Sequence, residues 1–91
     1  MMQELNQPWD PAVQSKFHQM LDKIPPFLRP VAEGKVQKKA QALAVKANNR
    51  EVTEENLIQA FFDETPFGFH GPMKTDMMAV GLDYTKYGYA K

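Results

Sequence analysis

The chain has 91 residues, one domain's worth and near the lower end of what folds on a single core. Eleven basic side chains balance eleven acidic ones, so the molecule as a whole offers no field that would gather polyanions. It has no cysteine, which excludes disulfides, thiolate metal sites and cysteine-held iron–sulfur clusters from this chain, while 43% apolar residues suffice for a core and exclude wholesale disorder.

Residues 1–8 read as a flexible arm, with Trp9 as the anchor at its end. Asp10 followed by Pro11 opens the first helix: an acceptor at the N-cap, then a proline whose missing N–H costs nothing at the first helical position. Val13, Phe17, Met20, Leu21 and Ile24 then recur with helical period. Pro25 and Pro26 end that helix, because a residue before proline is pushed out of the α region. Pro30 opens a second helix predicted to run to about Asn48, its inward face Ala32, Val36, Ala40, Leu43 and Ala47. Gly34 weakens it by up to ~1 kcal/mol relative to alanine. The asparagines at 48 and 49 supply the stop, since asparagine tolerates the left-handed conformation past a helix end.

Thr53 caps a third helix, with Glu54 and Glu55 where the helix dipole favours negative charge and Leu57, Ile58, Phe61 and Phe62 as its apolar face. TPFGFHGP at 65–72 breaks that helix. A fourth runs from about Pro72 to Val80, with Met73, Met77 and Val80 on one side and Gly81 as terminator. The expectation is an all-α domain of three to four short helices with a proline-rich elbow between the first two. No apolar run approaches the ~20 residues a membrane helix needs, and MMQELNQPWD lacks the signal-peptide pattern, so the expected location is the cytoplasm. Arg29, Lys35, Lys38, Lys39, Lys46 and Arg50 oppose Glu33 alone in the second helix and its flanks. Glu51, Glu54, Glu55, Asp63 and Glu64 stand unopposed in the third, so the two segments should pack as neighbours.

The blocks KIPPFLR, GKVQKKAQALA and REVTEENLIQAF resemble the small domain that ends one subunit of light-independent protochlorophyllide reductase, a domain that also occurs in stand-alone PCP reductase family proteins. Trp9, Ile24, Pro25, Phe27, Leu28, Arg29, Lys35, Val36, Ala40, Ala44, Val52, Thr53 and Leu57 fill that pattern over about residues 9–62. The chain departs from it in four extra residues, PVAE, before Gly34, and in Gln41 where the pattern has an acidic residue. The division implied is a family-like domain at 9–64 and a C-terminal extension at 65–91 packing on it. The parent enzyme reduces a ring double bond with ATP and iron–sulfur clusters held by cysteines of other domains. This chain has no GxxxxGK[ST] loop and no cluster ligands, so what the resemblance implies is an accessory module with no cofactor of its own. Its partner would be a protein, a nitrogenase-like or reductase component being the family's choice.

In such an elbow the prolines fix the crossing of the first two helices and Phe27 plugs their junction. Arg29 reaches a helix end or a carboxylate such as Glu51, or else docks a partner. The surface favoured for interaction combines Arg29 with Lys35, Lys38, Lys39 and Lys46. The same lysines also suggest a nucleic-acid surface on a histone-like module, disfavoured by the acidic third helix. His70 lies among Phe61, Phe62, Phe67 and Phe69, and could serve as axial ligand of a tetrapyrrole walled by phenylalanines; the plainer reading is an ordered loop over a small core. His18 reads as solvated, and Asp63, Glu64, Asp76 and His70 match no established metal spacing. Ser15, the only serine, has no paired base, so no catalytic residue is assigned. Met73, Met77 and Met78 with Tyr84, Tyr87 and Tyr89 form either an adaptable surface or a cover for the three-helix core.

Overall fold

The computed structural model describes residues 7–90. The fold is all-α: α1 (Pro11–Asp22), α2 (Arg29–Lys46), α3 (Glu54–Glu64) and α4 (His70–Ala79), with 3-10 turns at Phe67–Phe69 and Tyr84–Tyr87. Among the described residues the only strand-like pairing is a parallel bridge between Trp9 and Val52. The expected arm falls mostly on residues 1–6, outside the described part. Gln7 and Pro8 are tied down: Gln7 Nε2 donates to the Asn49 carbonyl at 2.7 Å, and the Val52 N–H donates to the Pro8 carbonyl at 2.8 Å.

Each helix boundary has a local cause. Asp10 Oδ1 accepts from the Ala12 and Val13 amides at 2.8 and 3.4 Å, starting α1 as the sequence predicts. Beyond α2, Asn48 takes φ 61°, the only positive φ outside glycine among the described residues. Its N–H donates to Val45 and that of Asn49 to Ala44, the paired return bonds of a Schellman stop. Because α2 ends at Lys46, Ala47 has already left the helix and is exposed. The inward position expected of Ala47 belongs to the fully buried Ala44.

At α3, Thr53 Oγ1 accepts the Asn56 N–H at 3.2 Å while Asn56 Oδ1 accepts the Thr53 N–H at 3.0 Å, a reciprocal capping box. Asn49 Nδ2 donates to the same Asn56 oxygen at 3.1 Å, so the turn after α2 is bonded to the start of α3 through a buried side chain. α4 begins at His70, two residues before the expected Pro72, because the Phe67–Phe69 turn runs directly into it. It ends in a second Schellman stop: Gly81 at φ 88°, with its N–H bonded to Met78 and that of Leu82 bonded to Met77. Glycine is needed here because a side chain at that φ would be strained.

The core centres on Phe17, 2% exposed, which stacks on Trp9 at 5.0 Å and meets Phe61 edge-on at 6.1 Å. α2 and α3 form the most extensive helix pair, as their opposite charges suggest, and Lys39 Nζ lies 3.7 Å from Asp63 Oδ2 between them. Lys16 of α1 links α3 to the end of α4, through Glu54 at 3.7 Å and the Gly81 carbonyl at 3.1 Å. Residues beyond 64 complete this core. Met73, Met77, Leu82 and Tyr84 are buried in it, and Tyr89 stacks on Phe62 at 4.1 Å. Burial, aided by nearby Asp63 and Glu55, holds the Tyr89 phenol above its ordinary pKa, so the ring packs as a neutral group.

Candidate functional site: an apolar groove at the elbow

Four of the eight residues of KIPPFLRP fold into a tight turn, Pro25–Leu28, closed by the Leu28 and Arg29 N–H groups donating to the Pro25 carbonyl at 2.9 and 3.1 Å. Phe27 sits at its apex and is 79% exposed, so it does not plug the helix junction as the sequence suggests. A residue at the tip of a turn is aimed away from the helices the turn joins. Ile24, packed against the core, and the Arg29 side chain fill the corner instead.

Arg29 caps α1 from outside. Its Nε donates to the Leu21 carbonyl at 2.8 Å, and one terminal nitrogen donates to those of Ile24 at 2.9 Å and Asp22 at 3.3 Å. These carbonyls lie at the C-terminal end of α1, where carbonyls lose their intrahelical partners (that of Leu21 also accepts the Ile24 N–H at 3.0 Å), and the guanidinium complements the negative end of the dipole. Of the three roles the sequence offers Arg29, a helix end, a carboxylate such as Glu51 or a partner, the structure displays the helix-end role. Replacing it by alanine is expected to lower stability by ~2–3 kcal/mol, less than the sum of three charged bonds because water reaches part of the site. Arg29→Lys should recover less than half of the loss, since an ammonium lacks the planar fork. Urea titration of both variants checks this.

Around the elbow lies a groove of about 550 Å³. Met20, Val36, Phe61 and Met73 form its floor, all of them core residues. One wall comes from the α1–α2 corner, with Ile24, Pro25, Leu28 and Val31; the other comes from the α3–α4 corner, with Pro66, Phe69 and Pro72. Val31 is 59% exposed and Phe69 65%. Phe27 and Phe67, the latter 86% exposed, lie just outside the lining, each next in sequence to a wall residue. A lone exposed apolar side chain is ordinary, but Leu28, Val31 and Phe69 lining one concavity, with two more exposed phenylalanines next to its walls in sequence, are not. The walls also differ in charge: Lys23 and Lys35 stand on the first, Glu64 and Asp76 on the second.

The lysines predicted to form one interaction face are divided. Lys35 joins the groove, Lys39 pairs with Asp63, Lys46 borders a shallow hollow with Asn49, Glu55 and Gln59, and Lys38 is solvated. His70 Nε2 is 2.9 Å from the Thr65 carbonyl, and its ring meets Phe62 edge-on at 5.0 Å. Phe67 leans on the same imidazole at 5.4 Å, whereas Phe61 is buried in the core. The phenylalanines named with His70 therefore do not form common walls around it. His18 is exposed on the flank of Phe17. No three of the described His, Asp and Glu side chains converge as a metal site would require. Sequence reasoning passes over the groove because its walls meet only in three dimensions; the signal available is the density of Phe, Pro and Leu in two separate loops.

Compared with protein-family models, curated proteins and solved structures, the chain finds no match.

Proposed function

We propose that this chain is a non-catalytic protein-interaction module, in keeping with its resemblance to the small C-terminal domain found in light-independent protochlorophyllide reductase, and that it docks through the groove at the elbow. The observation that carries the reading is the exposed apolar set Leu28, Val31 and Phe69 lining one concavity, with exposed Phe27 and Phe67 next in sequence to its walls. Covering such side chains yields roughly 1.5–3 kcal/mol each before the costs of association, enough for a specific contact. Lys35 at its edge keeps one element of the basic surface favoured by the sequence, while Arg29 acts from behind by fixing the corner.

The test is a pull-down from the native cell extract, with the wild-type chain and a Phe27→Ser/Val31→Ser/Phe69→Ser variant as baits. A protein retained by the first and lost by the second, with helicity unchanged by circular dichroism, supports the reading. Retention of the same proteins by both, or of nucleic acid alone, overturns it.

A further inference from the structure

We propose that the groove accepts an amphipathic α-helix of a partner protein, with acidic residues along one flank of its apolar stripe and basic residues along the other. The inference rests on the docking reading above and adds the occupant's chemistry.

The lining decides the backbone form of the occupant. An extended or polyproline segment carries main-chain N–H and C=O groups that need partners wherever they leave water. Between the charges on its two walls the groove is mostly proline rings, aliphatic side chains and phenylalanine, with Thr65 among them, and the one strand-like pairing described, Trp9 with Val52, does not line it. A helix bonds its own backbone and presents only side chains, so it enters such a surface without orphaning polar groups. A small apolar ligand would also find the cavity, but would leave Lys23 and Lys35 on one wall and Glu64 and Asp76 on the other without partners. A helix lying along the groove can engage both walls.

The flanks follow from charge. Lys23 and Lys35 on one wall, and Glu64 and Asp76 on the other, form no ion pair among the described residues. A helix with opposite charges on its two sides satisfies both walls in one polarity only, which fixes its direction. A second copy of this chain is a poor occupant. Its helices have their apolar faces buried in their own core, and a concave face set against another concave face leaves the volume unfilled.

The test uses three fluorescently labelled peptides with leucines at i, i+4, i+7 and i+11. One carries glutamates on one flank and lysines on the other, one glutamates on both, and one lysines on both. Anisotropy titration at low salt should show the mixed peptide binding about tenfold more tightly than either uniform one. Phe69→Ser should abolish binding of all three, and Lys23→Glu/Lys35→Glu should shift the preference to the lysine-flanked peptide. Equal affinities for the three, or binding that survives Phe69→Ser, overturn the inference. So does self-association of the wild-type chain, seen by sedimentation and abolished by Phe69→Ser. If an extract protein is captured through the groove but no peptide binds, the docking reading stands and the helical occupant is refuted. If neither occurs, both fall.

Discussion

Phe17→Ala is expected to lower stability by about 3–5 kcal/mol, the largest loss from any single truncation argued for this chain. The residue stands where three parts of the sequence meet: Trp9 from the N-terminal bridge stacks on one face, Phe61 of α3 touches the edge, and Val13, Met20 and Leu21 flank it on α1. Removing the ring leaves a void that none of the three can fill without moving its own backbone anchor. For a domain of this size each kcal/mol shifts the melting temperature by about 4–8 °C, so the midpoint should fall by roughly 12–40 °C. Trp9 is the only tryptophan, and it reports on the site directly: loss of its stacking partner should move its emission to the red in the native state, before any unfolding. Phe17→Leu, which keeps most of the volume, should cost under ~1.5 kcal/mol. If the alanine and leucine variants melted together, the ring would not be the keystone that the packing implies.

What can be read in the sequence is the part governed by near neighbours. The Asp10 cap, the Asn48 stop and the Thr53 cap each depend on a few consecutive residues, and all three are found. The α1 stripe follows from helical period alone, and its Val13, Phe17, Met20 and Leu21 are buried. The misses have a common cause. Phe27 is an aromatic beside two prolines and reads as a plug, but whether the tip of a turn points inward depends on the crossing of α1 and α2, which local spacing does not encode. Asn56 is buried, with Asn49, seven positions earlier, supplying the donor that makes burial tolerable, a pairing that the spacing within α3 does not encode.

The candidate site is legible in fragments. KIPPFLRP holds most of one wall and TPFGFHGP most of the other, but taken as sequence the first reads as a corner and the second as an ordered loop over a small core. Only the packing of α4 brings them face to face. Arg29 shows the same division between chemistry and place. Its capacity to bond a helix end is evident from the residue type, whereas its three acceptors, all on one helix end, exist only once the elbow closes.

Leu82→Ala is the second large effect expected, ~2–5 kcal/mol, and it tests whether the chain beyond residue 64 is an appendage or part of the core. The tail has few apolar residues, and the sequence reading makes 65–91 an extension packing on the domain. Leu82 is nevertheless fully buried, as is Met77, whose carbonyl accepts the Leu82 N–H at 2.8 Å. Hydrogen bond and apolar contact together form the Schellman stop that turns the chain back over α3. Met78, one position from Met77 but partly exposed, provides the control: Met78→Ala should change stability by no more than about 0.5 kcal/mol. Thermal melts of the two variants should therefore separate by roughly 10 °C or more; coincident curves would mean that the tail merely rests on an independent three-helix unit. The consequence reaches the groove. Met73, on the same helix, is part of the groove floor, and Pro72 and Asp76 belong to its second wall. Loosening α4 at its far end should therefore weaken any docked helix before the protein as a whole unfolds.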